Sequence, residues 1–372
     1  MMTSPTLRLG PLPPLRVSPG TLITVLLFAV IMYPSLARGG VAPTTAVLLA
    51  IGIGLFMIVS VLVHEGAHAL VARAFGASVD HIALTLWGGH TQYRSRQMST
   101  LGSLLVSLSG PLANLLLAGL CFGAVQLSEP GTALSVFVSI SSWLNLVLAV
   151  FNLLPGLPMD GGRALETLLG AALKSPELGT RITAWLGRAI AVAVVAYPLW
   201  RIMRDGGAGG FSLLTLVWAL LIAGMLWQGA TQALTGAALQ GRIRTLDATS
   251  LATPVRILAP QAPLADLDPS ADLSTVLILD RTTTGPGSVG RASRIDPAAA
   301  AAVPAAQRPG TPVLAVARAI GELGALPASL RGDDLIEAML SRPAPAYLVL
   351  AEDGSARGVI MSADVNALLR GR

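Results

Sequence analysis

The sequence predicts a polytopic α-helical membrane protein of about six transmembrane helices, followed by a soluble α/β domain. Three observations predict it. Of 372 residues, 53% are hydrophobic and 12% charged, where a soluble domain carries roughly 25% charged residues. Six apolar runs approach the length of about 20 residues that a hydrocarbon core of roughly 30 Å requires. After Gln240 no stretch is long enough to cross a bilayer, and Ala, Pro, Asp and Arg mix with short β-rich runs such as Val276-Leu277-Ile278-Leu279 and Tyr347-Leu348-Val349-Leu350.

In chain order the apolar runs cover residues 21–37, 41–70, 101–127, 133–154, 183–203 and 211–234. The first is short, and its end at Ser35-Leu36-Ala37 has the small residues of a signal-peptide cleavage site. Pro34 inside it and the closeness of the next span favour a retained helix. With the N-terminus in the cytoplasm, the inner loops hold Arg8, Arg16, Arg73, Arg94, Arg96, Arg163, Lys174, Arg181, Arg242 and Arg244. The outer loops hold only Arg38, Arg201 and Arg204. The positive-inside rule therefore places both termini in the cytoplasm of a multi-pass cell-membrane protein. The net charge of +5 is this loop bias and not a clustered basic face, so nucleic acid is excluded as a partner and the lipid bilayer takes its place. Cys121 is the one cysteine. It offers no intramolecular disulfide and no cysteine metal site, so a bound metal must use His and carboxylate.

The expected domains are 1–240, in the membrane, and 241–372, cytoplasmic. The second reads as an internal repeat, each half a strand, a Gly-containing turn and a second strand leading into a helix. Residues 282–287 and 298–310 read as low-complexity insertions, loop and irregular helix.

The chemistry centres on Val63-His64-Glu65-Gly66-Ala67-His68 in the second span. Histidines four apart on a helix share one face, so both imidazoles reach one metal, while Glu65 stands about 100° round where it reaches water at that metal. Two imidazoles and a carboxylate in an apolar span are costly unless they serve a site. A catalytic zinc takes three protein ligands. Soluble zinc proteases draw the third from a His six residues onward or a Glu about twenty onward, but Ala74 occupies the first place and no Glu lies between Glu65 and Glu129. The remaining candidate is Asp160 in Phe151-Asn152-Leu153-Leu154-Pro155-Gly156-Leu157-Pro158-Met159-Asp160-Gly161-Gly162. This Pro- and Gly-broken stretch at membrane depth is tolerated only where it lines a cavity or is covered by protein. A helix cap is the alternative role for Asp160. The second and fourth spans run in the same direction, so His64, His68 and Asp160 fall on the same, cytoplasmic side.

Together, His64-Glu65-Gly66-Ala67-His68, the stretch Asn152 to Gly161 and Ser109-Gly110-Pro111-Leu112-Ala113-Asn114 resemble the site-2 proteases, intramembrane zinc metalloproteases of regulated intramembrane proteolysis. The resemblance covers residues 21–234. It implies one Zn2+ per chain held by His64, His68 and Asp160, with Glu65 as the catalytic general base and acid and Asn152 beside the substrate carbonyl. It also implies a single-pass transmembrane substrate, a signalling protein such as an anti-sigma factor. A transmembrane helix must unwind to be cut, so an edge is needed to hold it. Residues 79–93, with Leu84, Leu86, Trp87, Gly88 and Gly89, read as an amphipathic loop supplying that edge, the glycines allowing close backbone approach. The family has a Gly-Gly strand here, but His90 stands where an apolar residue is usual. Substrate contact, metal contact and a solvated turn are the readings open to it, the last preferred, and His81 reads as an interfacial loop residue. Gly110 and Asn114 share a helix face, either for helix packing or to support the metal ligands.

The soluble tail resembles a pair of CBS repeats, which implies adenine-nucleotide binding or dimerisation. The first half keeps Gly290, Ser293 and Asp296 of that family's nucleotide motif. The second keeps Gly358 and Asp364 but has Met361 in place of the hydroxyl. The competing readings are a CBS-regulated metal transporter and an inactive scaffold. Transport requires no general base and favours further carboxylates along the spans, and every residue the chemistry needs is present.

Overall fold

The structure, a computed structural model, describes residues 6–7, 13–85, 88–94, 98–204, 213–268, 272–281 and 288–371. Leu86, Trp87, Arg8, Arg96, Phe211 and the run 282–287 lie outside them. The chain divides into two compact units, Met1–Ala237 and Ala238–Arg372.

The first unit opens with strands β1 (Thr6–Leu7) and β2 (Leu15–Val17), then helices α1 (Gly20–Arg38) and α2 (Pro43–Ala74). Pro43 suits the first turn of α2, where its missing N–H costs no hydrogen bond. His64 lies about 32 Å along the axis from Pro43 at 1.5 Å per residue. That is about the thickness of a hydrocarbon core. Strands β3 (Ser78–Thr85) and β4 (Gly88–Arg94) follow, then α3 (Thr100–Leu127) and α4 (Ala133–Asn152), whose first turns are capped by the hydroxyls of Ser99 and Thr132. Each such cap contributes about 1 kcal/mol. Residues 153–159 then break the chain, as the two prolines require, and α5 (Asp160–Ala172), α6 (Pro176–Arg204) and α7 (Leu213–Arg244) complete the set. Among the described residues, six helices are long and apolar enough to cross a membrane: α1, α2, α3, α4, α6 and α7.

The four strands form one sheet in the order β1-β2-β3-β4, with β2 parallel to β3 and β3 antiparallel to β4. Residues 79–93, expected as a loop, are therefore mostly a hairpin, and β4 is its outer strand. The sheet rests on α2 through buried Leu15, Ile82 and Leu84 against Ala69 and the partly buried Ile58, Val61 and Leu62.

In the second unit, after the short helix α8 (Ala248–Leu251), β5 (Arg256–Leu258) pairs parallel with β6 (Val276–Asp280). β6 pairs antiparallel with β7 (Ser288–Ile295), which leads into α9 (Pro297–Ala302). The pattern repeats: β8 (Ala317–Pro327), α10 (Gly332–Ser341), β9 (Ala346–Leu350) parallel to β8, β10 (Ala356–Met361) antiparallel to β9, then α11 (Ser362–Arg370). β7 joins β8 antiparallel, making one six-stranded sheet. Leu277, Leu279 and Ala292 of the first half share a core with Leu323, Ala346, Leu348 and Val359 of the second. Alternate residues of the same strands face two separate cores, Val276 and Ile278 in one, Tyr347 and Val349 in the other. Residues 298–310 are a short helix and a 3-10 turn, as their composition suggests.

Candidate metal centre

The last third of α2 carries His64, Glu65 and His68, all buried. The break after α4 lets the chain turn back and start α5 with Asp160 in its first turn. Thr183 of α6 accepts the Leu157 N–H at 3.1 Å on its backbone oxygen, and the Arg163 N–H bonds the Met159 carbonyl at 3.0 Å, so the turn is anchored on both sides of Asp160. The outcome is a tight triangle. His64 Nε2 and His68 Nε2 are 3.1 Å apart, and Asp160 Oδ2 lies 3.1 Å from the first and 3.3 Å from the second. The ligand atoms of a tetrahedral zinc at 2.0–2.1 Å stand about 3.3–3.4 Å apart, so the triangle is one face of such a tetrahedron.

Proton bookkeeping supports the same reading. The Val106 carbonyl can only accept, so His68 Nδ1 at 2.6 Å carries the proton and Nε2 keeps its lone pair. Ser141 does the same for His64 through two amides. Its carbonyl accepts from Asn145 Nδ2 at 2.9 Å, Asn145 Oδ1 accepts from Asn114 Nδ2 at 2.9 Å, and Asn114 Oδ1 accepts from His64 Nδ1 at 2.5 Å. Both Nε2 lone pairs thus converge with a carboxylate oxygen, an arrangement that a cation between them relieves. Gly110 makes it sterically feasible, since a Cβ there would lie 2.7 Å from His64 Nε2 and closer still to His68.

These side chains line a cavity of about 220 Å³ together with Glu65, Gly89, His90, Thr91, Tyr93, Ser107, Asn152 and Arg163. Glu65 Oε2 accepts from the Thr91 hydroxyl at 2.8 Å. Asn152, half-buried at the end of α4, borders the cavity. Gly88 ends the hairpin connection with φ +122°, and Gly89 presses on α2, where a Cβ would lie 2.6 Å from Glu65 Cγ. Asn114 bonds His64 and also bridges to Asn145 of α4.

Two expectations are corrected. His90 is not a turn residue: it lies exposed in β4, paired with Ala83 of β3, and lines the cavity. His81 is not in a loop: it is buried in β3, where Nε2 accepts from Arg16 at 3.4 Å. Burial, then the neighbouring Arg16 charge, pushes its pKa down from the ordinary imidazole value. Sequence reasoning missed Asn145, Thr91 and Arg163. Asn145 carried a readable signal, a side-chain amide in an apolar span. In the second unit Ser293 is buried in β7. Asp296 caps α9 through the Ala298 and Ala299 N–H groups and pairs with Arg318 at 3.2 Å. Asp364 is exposed in the first turn of α11.

The description Peptidase family M50 matches residues 52–135 and 128–195. Rip3 of Mycobacterium tuberculosis is 32% identical over 189 residues, covering 50% of this chain and 48% of Rip3. Zinc metalloprotease MJ0392 of Methanocaldococcus jannaschii is 30% identical, covering 39% of this chain and 42% of its own. YwhC of Bacillus subtilis is 34% identical and 69% of it is covered. The chain belongs to peptidase family M50. It spans about half the length of Rip3 and MJ0392. Among solved structures, the site-2 protease from M. jannaschii superposes with TM-score 0.42 at 24% identity, covering 62% of this chain and 95% of that one. The CBS domain of the bacterial CNNM/CorC family Mg2+ transporter superposes with TM-score 0.26 at 17% identity, covering 41% and 94%. The M50 assignment rests on the sequence matches, and the His64, Glu65 and His68 cluster lies inside the matched residues.

Proposed function

We propose that this M50 member is an intramembrane zinc endopeptidase that hydrolyses a peptide bond in the transmembrane segment of a membrane protein. The observation that carries it is the triangle of His64, His68 and Asp160, with two imidazole tautomers fixed toward its centre and a buried glutamate beside it. When bound there, zinc supplies Lewis acidity toward water and the scissile carbonyl. Glu65 takes a proton from the attacking water and delivers it to the departing amine. The Asn152 amide donates to the carbonyl oxygen as charge develops on it. An unwound substrate segment pairs with the outer edge of β4, the geometry of strand addition. The balance of loop cations supports cytoplasmic termini, and with them a site near the cytoplasmic face.

The test is cleavage of a model transmembrane substrate by purified protein in liposomes. Glu65→Gln is expected to keep its zinc and lose cleavage, and His68→Ala to lose both; chelation should stop the wild type. Cleavage by Glu65→Gln at the wild-type rate would refute the mechanism.

A further inference from the structure

One contact in the cavity is not explained by metal binding or by the hairpin's own packing. The Thr91 hydroxyl lies 2.8 Å from Glu65 Oε2 and 3.0 Å from the Glu65 backbone oxygen. It has one hydrogen for two acceptors on a single residue. The contact to Oε2 is the shorter of the two and has ordinary O–H···O length, so the hydrogen goes to Oε2. We propose that Thr91 is a positioning residue for Glu65: it ties down Oε2 and leaves Oε1 as the oxygen that takes and returns the proton.

Strand geometry supports this. Side chains alternate along β4, so Gly89, Thr91 and Tyr93 share one face and Gly88, His90 and Gln92 the other. The shared face meets α2: a Cβ on Gly89 would lie 2.6 Å from Glu65 Cγ and 2.9 Å from Val61 Cγ1. Gly89 therefore lets the strand come close, and Thr91, two residues on, uses that closeness to reach the carboxylate. A carboxylate on an unbranched stem has several rotamers, and fixing one of its oxygens selects among them. β4 is also the outer strand of its sheet, so the element proposed to receive substrate is the one that holds the base. Proton flow stays balanced. The water O–H proton passes to Glu65 Oε1 as oxygen bonds to carbon, then to the amine nitrogen as the C–N bond breaks. As the carboxyl becomes neutral, the Thr91 hydrogen has the Glu65 carbonyl oxygen as its second acceptor. Thr91 itself loses nothing.

The inference rests on the endopeptidase reading, and its test has one arm that needs no turnover. In that arm, the infrared carboxylate band of Glu65 is isolated by subtracting the spectrum of Glu65→Gln. Thr91→Val, which keeps the shape and removes the hydroxyl, is expected to shift the band, and Thr91→Ser to restore it. In the kinetic arm, Thr91→Val should lower kcat roughly ten- to a hundredfold, the range for losing a hydrogen bond to a charged group. KM and zinc content should stay within about twofold, and Thr91→Ser should recover most of the rate. An unshifted band in Thr91→Val, or Thr91→Ser as slow as Thr91→Val, overturns the proposal. A shifted band in a protein whose wild type cleaves no substrate leaves the Thr91 contact standing and removes the endopeptidase reading.

Discussion

At the scale of residues, the centre depends on donors that can only be arranged one way. The Ser141 carbonyl cannot donate, so it sets Asn145, which sets Asn114, which sets the His64 tautomer. Asn114 and Asn145 are fully buried, where an unpaired amide costs about 1–3 kcal/mol. Asn145→Leu removes the link that orients Asn114, whose amide is then free to flip and present NH2 to His64. Zinc affinity should fall roughly 10- to 100-fold, the usual cost of losing an outer partner of a metal ligand. Competition against a chromophoric chelator reads it, and unchanged affinity would show that His64 holds its tautomer without the relay. Sequence alone identifies His64, Glu65, His68 and Asp160 because ionisable groups are conspicuous among apolar spans. Thr91 gave no such signal. A threonine in a half-polar strand is ordinary, and its contact exists only once the hairpin register and the approach of β4 to α2 are set.

At the scale of elements, the hairpin and the broken segment 153–159 bring groups distant in sequence onto α2. The break was legible, since Pro155 and Pro158 cannot continue a helix and glycines flank them. The hairpin was legible only as an amphipathic stretch with a glycine pair, and β2 was not legible at all. Three residues, Leu-Arg-Val, carry no usable period, and β2 is a strand because β3 offers it a parallel edge. Likewise, α2 shows no apolar stripe, because lipid and protein both favour hydrophobic side chains around it. The hairpin's distance from α2 is set at Gly89. In Gly89→Ala the new methyl meets Glu65 and Val61, so either β4 backs away or the carboxylate turns out of its place beside Thr91. Cleavage should fall at least tenfold while zinc content is kept, because the added Cβ lies against Glu65 and Val61 and none of the metal ligands. A variant with full activity would mean that β4 is not held against α2 during turnover.

At the scale of the whole molecule, the two units differ in what stabilises them. Among the described residues, the buried members of the second unit's three cores lie between Leu246 and Val365. The repeat explains why its architecture was readable: two copies of one pattern support each other, whereas the sharing of Leu279 and Leu348 in one core required the coordinates. The candidate metal centre found among the described residues lies in the first unit. A ligand present at a thousandfold its Kd stabilises the state that binds it by about 4 kcal/mol, so chelation should lower the melting temperature of the first unit and leave the second unchanged. The chain supplies its own probes. All six tryptophans precede residue 238, so their fluorescence follows the first unit, while residues 241–372, with Tyr347 as their only tyrosine and no tryptophan, can be produced alone and followed by far-UV circular dichroism. The expected result is a tryptophan transition that moves down with chelator and back with zinc, beside an isolated tail that melts cooperatively at one temperature in both conditions. A tail that melts without cooperativity would show that the second unit draws its stability from the first, and one whose melting tracks zinc would show that the tail binds the metal itself.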